Sequence, residues 1–194
     1  MAQLTLERGK TAVLIMDYQN DILGGYPEAA RNEALQKAGA VLAKARGAGM
    51  PVVYVVVRFR EGYPEIGPYD FGRLTLKQNN VLREGTPGAE IHSAVAPLPG
   101  EAVCVKRRTG PFSTSDLAAV LAAKGVTNLV LMGVATSGVV LSTVRWGSDT
   151  DYRMTVLADC CLDRDPEVHR VLTEKVFPRQ AVVATAQELL DAAL

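Results

Sequence analysis

Residues 133–143 read GVATSGVVLST, and they follow directly on the apolar run Asn128-Leu-Val-Leu-Met132. The join predicts a strand that ends in a turn of small residues and opens at once into a helix. Such a turn aims loop amides and the positive end of a helix at whatever lies above the sheet, which is where active sites are often built. It holds Thr136, Ser137, Ser142 and Thr143, but no cysteine, histidine or acid. The stretch therefore poses a question: the setting suits a nucleophile, and no strong one is present.

The same strand-then-helix alternation extends in both directions. Residues 11–16 form an apolar run bounded by Asp17, and residues 52–57 form a β-branched run entered through Pro51. Between them, Ala34, Leu35, Ala38, Val41, Leu42 and Ala45 recur at helical spacing over residues 28–48, before Gly47-Ala-Gly49 stops the helix. Further strands are expected at 102–106, 154–158 and 180–184. Helices are expected from the Ser113-Thr-Ser-Asp116 cap to about Lys124, over 138–146, from Asp165-Pro166 onward, and over 186–194. Strands that are apolar throughout, alternating with helices, imply an α/β fold of three layers. It is a doubly wound, mostly parallel six-stranded sheet of Rossmann type with helices on both faces, in a single domain spanning 1–194. Residues 58–100 carry many turn residues and several aromatics, and read as an ordered irregular loop that covers something.

Composition narrows the function. Of 194 residues, 48% are hydrophobic and 22% charged, and 21 basic residues balance 21 acidic ones. No global basic footprint marks a nucleic-acid or membrane-surface partner. The start, MAQLTLERGK, has no apolar signal core, so a cytoplasmic protein with a small-molecule substrate is expected. Cys104, Cys160 and Cys161 form no disulfide framework and no zinc spacing, and the only histidines are His92 and His169. No metal or cofactor is assigned.

In doubly wound sheets ligands sit beyond the carboxyl ends of the strands. The polar residues there are Asp17, Arg58, Lys106 with Arg108, the Thr136-Ser137 turn and Asp159. Asp17 and Lys106 could meet over the sheet as a reacting pair or equally as a structural ion pair. Arg58 and Arg108 fit an anionic substrate group or a solvated surface. No phosphate-binding motif is present.

At these residues a resemblance becomes specific. AVLIMDYQNDIL (12–23), GTPGAEIH (85–92), VKRRTGPFSTSDL (105–117), LVLMGVATSGVVLST (129–143) and VLADCCLDRDPEVH (156–169) occur in this order and spacing. Together they resemble the isochorismatase-like hydrolase superfamily, or cysteine hydrolases, which includes nicotinamidases, carbamoyl-amide hydrolases and isochorismatase. The resemblance implies an Asp, Lys, Cys triad, with Asp17 and Lys106 at the first two positions. The third falls on Val139, which has no nucleophilic atom. It also implies a cis peptide between Val134 and Ala135, an oxyanion-type loop from Ala135 through Thr136 and Ser137 to Val139, and a dimer or tetramer.

Ser137 fits a helix cap better than a replacement nucleophile. Cys104 fits core packing, although catalysis by its thiol is the alternative. Isochorismatases offer a precedent, because they also lack the cysteine and use the aspartate as a general acid. Nicotinamidase metal ligands find no match, since no Asp-x-His pattern follows Arg58.

The leading expectation is a hydrolase of a small anionic, amide or vinyl-ether metabolite. It would use Asp17 and Lys106, with Arg58 and Arg108 toward the anion and Phe112 plus the aromatics of 58–72 as an apolar wall. The alternative is an inactive member that binds a metabolite or a partner protein. A direct Asp17–Lys106 contact within about 4 Å is expected.

Overall fold

Six parallel strands in the order β3-β2-β1-β4-β5-β6 form the sheet. The computed structural model describes residues 6–192. In chain order the elements are β1 (Thr11–Met16), α1 (Asn20–Leu23), α2 (Glu28–Gly47), β2 (Val52–Val57), α3 (Phe71–Gln78), β3 (Ala102–Lys106) and α4 (Leu117–Ala123). They continue with β4 (Asn128–Val134), α5 (Leu141–Asp149), β5 (Arg153–Leu162), α6 (Pro166–Val171), β6 (Val182–Ala184) and α7 (Ala186–Asp191). The chain winds outward from β1 to β3, then crosses back to β4 and winds the other way.

Alternation along each strand divides the interior into two cores, because successive side chains point to opposite faces. Val13, Ile15, Tyr54, Val130 and Met132 pack under α2 and α7, against Leu35, Ala38, Leu42 and Leu189. Leu14, Met16, Val53, Val55 and Leu131 face the other way, toward Leu117 and Leu121 of α4 and Val140 and Val144 at the start of α5. Every residue of β1, β2 and β4 is buried. This double burial explains why those strands carry no polar alternation.

Several boundaries differ from the sequence expectation. The stretch 58–100 is not purely irregular, since it holds α3 and single 3-10 turns at Pro87–Ala89 and Ser93–Val95. Asp116 stands at the start of α4 without accepting a capping bond; the Leu117 amide donates to Ser115 Oγ instead, at 3.2 Å. The helix after β4 opens with a π turn, Thr136–Val140, before α5 proper. β5 is ten residues long, running on to Leu162, because a register shift between Leu131 and Gly133 lets its second half rejoin β4. Gln180 and Ala181 lie before β6 rather than in it. α7 carries a Thr185–Glu188 capping box and ends at Asp191, while the last two residues of the expected helix, 193 and 194, lie outside the described residues. Among the described residues, no helix is long and apolar enough to cross a membrane.

Candidate active site

β1 ends in Asp17, whose backbone turns into the left-handed region (φ 62°) while its amide donates to Val55 O at 2.8 Å. Aspartate tolerates that conformation better than most residues. β3 ends in Lys106, which is 2% exposed. β2 lies between these strands, so only a long side chain at that strand end can reach over it. Lys106 does so, placing Nζ 2.8 Å from Asp17 Oδ2 and 3.2 Å from the Arg108 carbonyl.

The second oxygen, Asp17 Oδ1, is buried and has no hydrogen-bond partner in the protein. Burial raises the Asp17 carboxyl above its usual pKa range, while the charge and hydrogen bond of Lys106 pull the other way. A carboxyl with one oxygen paired and the other free can exchange a proton with a guest molecule.

A cavity of about 560 Å³ opens over this pair. It sits at the join of β1 and β4, where the winding direction reverses. Val134, Ala135, Gly138 and Val139 supply its β4 side. The Val134–Ala135 peptide is cis. Val139 is 1% exposed and continuous with the core below, so this side of the cavity is hydrocarbon. Arg108 lines the mouth, and so do residues the strand-end inventory did not include: Asp21, Tyr26, Arg73, Thr109 and Arg164. Arg73 is pinned, bonding Asp70 Oδ2 and Thr109 Oγ1 at 2.6 Å each.

The structure places other expected site residues elsewhere. Arg58 does not line the cavity: it bonds Glu90 at 2.9 Å and the Ala89 carbonyl at 3.2 Å, tying the end of β2 to the loop after Gly85. Phe112 stacks on Trp146 with ring centroids 3.7 Å apart, away from the cavity. In the 58–72 stretch, Phe59 and Tyr63 pack on each other in a small cluster with Leu82 but do not themselves line the cavity, while Tyr69 and Phe71 are 86% and 77% exposed. The apolar wall comes instead from Ile22, Leu76 and Leu82. Thr136 is turned inward, its Oγ1 2.8 Å from His169 Nδ1. Ser137 caps nothing with its hydroxyl; its amide donates to Asp163 Oδ2 at 2.7 Å.

Asp159 is not at a strand end. It sits within β5, where Oδ1 accepts the Ala186 amide at 2.8 Å. Asp163, four residues on, is the true strand-end acid, and no signal short of the bulge in β5 would have moved the boundary there. Cys104 lies in the core, and burial pushes its thiol up to about 12.

The GTPGAEIH stretch holds the site's frame together. Its Pro87 and Glu90 carbonyls accept the Asn20 side-chain amide at 2.8 Å and backbone amide at 3.0 Å, and just before it the Leu82 amide donates to Asp21 Oδ2 at 2.8 Å. A Cβ on Gly88 would fall 2.0 Å from the Asp21 carboxylate, so only glycine lets that acid approach.

Residues 11–188 match the isochorismatase domain. The chain belongs to the isochorismatase family. It is 30% identical over 184 residues to the ureidoacrylate amidohydrolase RutB of Stutzerimonas stutzeri, covering 84% of this chain and 74% of that one. It is 29% identical over 188 residues to the maleamate amidohydrolase of Pseudomonas putida, covering 94% and 86%. An isochorismatase family protein of Desulfovibrio vulgaris has a solved structure that matches at a TM-score of 0.83 and 27% identity, over 94% of this chain and 97% of that one. This isochorismatase-family chain is thus a hydrolase by kinship and carries the family's six-stranded α/β fold.

Proposed function

We propose that this isochorismatase-family hydrolase cleaves a small anionic metabolite by acid-assisted attack of water, with no covalent enzyme intermediate. The observation that carries the reading is the buried Asp17–Lys106 pair, with Asp17 Oδ1 left free at a cavity whose β4 side is hydrocarbon at Val139. On this reading Val139 stands where the resemblance to cysteine hydrolases puts the nucleophile, and an isopropyl group cannot attack a carbonyl. What remains is proton transfer. Protonated Asp17 gives its proton to the leaving nitrogen or oxygen as the bond to carbon breaks. Water delivers hydroxide to that carbon, and its second proton returns to Asp17. Lys106 stabilises the carboxylate in between.

Arg108 and Arg164 lie at the cavity mouth with no carboxylate in ion-pair contact among the described residues, which suits a substrate carboxylate. The relatives' names suggest the first compounds to try: ureidoacrylate, maleamate and other small carbamoyl and amide acids, with isochorismate beside them. Turnover of one of these, lowered by about 10²- to 10⁴-fold in Asp17→Asn, is the expected result.

A second reading follows from Val139 itself: a member without turnover that binds a metabolite or partner protein. Tight binding of one of these acids in the absence of turnover would favour it and overturn the first. The proposal also includes a single domain acting in the cytoplasm as a dimer or tetramer, which sedimentation of the purified chain tests for assembly.

A further inference from the structure

The segment that follows β5 reaches the site turn from behind, and the chemistry proposed above uses none of its contacts there. Asp163 Oδ2 accepts the Ser137 amide at 2.7 Å, and His169 Nδ1 lies 2.8 Å from Thr136 Oγ1. Thr136 is wholly buried, so its hydroxyl has no water to fall back on. Two neighbouring residues of the turn are thus gripped by groups 26 and 33 positions further along the chain. Within the turn the Gly138 and Val140 amides share the Ala135 carbonyl at 3.1 and 3.4 Å, and at its C-terminal end Thr143 Oγ1 donates to the Val139 carbonyl at 2.7 Å. The residue at its N-terminal end, Ala135, has no side chain that could cap it.

The gripping groups are themselves well fixed. Leu162 pairs with Val134 at the end of β4, which sets Asp163 beside the turn. Asp165 accepts the Glu167 and Val168 amides at the start of α6, which sets His169 one turn later. Burial favours the neutral imidazole, and a neutral ring nitrogen can pair with a hydroxyl in either tautomer.

We infer that Asp163 and His169 are positioning residues that hold residues 135–139 in register with Asp17, and so set how any group at position 139 meets the Asp17–Lys106 pair. The inference rests on the reacting centre proposed above. It does not depend on knowing the substrate, because a thiol placed at position 139 reports the geometry directly.

The experiment uses the Val139→Cys variant as reporter, with the native protein giving the baseline of the three buried cysteines. Iodoacetamide alkylation and the thermal midpoint are measured for Val139→Cys alone and combined with Asp163→Ala, Asp163→Asn, His169→Ala or His169→Asn. Both alanine changes are expected to slow alkylation by about tenfold, the scale on which misplacement of a reacting group acts. The asparagine changes keep a polar partner at the same place and restore most of the rate. Removing the Asp163 charge would by itself favour the thiolate and speed the reaction, so slowing identifies geometry rather than electrostatics. Unchanged or faster alkylation in either alanine variant overturns the shared role. If Val139→Cys alone reacts like a free thiol, the reacting-centre proposal fails, and amide exchange over residues 136–139 decides the clamp. Protection lost in both alanine variants upholds it, and protection unchanged overturns it.

Discussion

On the β1 and β3 side of the cavity, two buried charges meet at 2.8 Å and largely satisfy each other. On the β4 side, residues 135–139 present hydrocarbon, and the polar groups that fix them stay behind the turn. The first half is held by what it shows to the cavity, and the second by what it hides. Each half should therefore fail differently. Loss of one partner on the charged side leaves a buried ion, whereas the apolar side yields to crowding and to loss of its remote anchors.

Breaking the charged half has the largest expected effect. Lys106→Met leaves Asp17 buried beside hydrocarbon and should cost about 3–5 kcal/mol at pH 8, measured by urea unfolding. The sign with pH follows from the raised carboxyl. Its native pKa lies above the ordinary 3.8, and loss of Lys106 raises it further, so stability is fully present below that value and falls as pH rises through the native pKa. The penalty should shrink in acid. The double change Asp17→Asn with Lys106→Met should recover most of the loss, and equal destabilisation of the single and double variants would show that the pair is not the unit described.

Crowding the apolar half comes next. A Cβ on Gly133 would lie 2.8 Å from Val140 Cγ2 and 3.1 Å from Val139 Cγ1. β-branched side chains have little rotamer freedom with which to yield. Gly133→Ala should therefore cost about 1–3 kcal/mol and shift the floor of the cavity. Unfolding within error of the native protein would mean that the turn is looser than its contacts suggest.

The smallest effect sharpens the role of the remote anchors. Burial holds His169 below its ordinary 6.5, against a weaker opposing pull from the Asp163 carboxylate. A depressed pKa contributes stability above 6.5 that is lost as pH falls through the native value, because the unfolded chain takes up the proton first. His169→Asn should flatten that decline in unfolding free energy between pH 8 and pH 5. An unaltered slope would assign the decline to other groups.

Much of this architecture was legible in the residues. Uninterrupted apolar runs such as Val52–Val57 announced buried parallel strands, and the strand-end rule found Asp17, Lys106 and Arg108 at the cavity. The same rule misled at Arg58 and Asp159. An arginine at a strand end can turn to a loop carboxylate such as Glu90, and the end of β5 is displaced by a bulge. Phe112 misled because an aromatic near a site has many neighbours to stack on, and Trp146 is the one it meets.

The sequence by itself determined the layer order of elements, the double burial of the central strands and the absence of a thiol from the site turn. These are local facts of hydrophobic pattern and residue identity. Only the tertiary structure decided which oxygen of Asp17 is free, that Lys106 spans β2 to reach it, and that Asp163 and His169 grip the turn from 26 and 33 residues away. Those facts depend on register and on distances between segments remote in the chain, and no pattern within a segment encodes them.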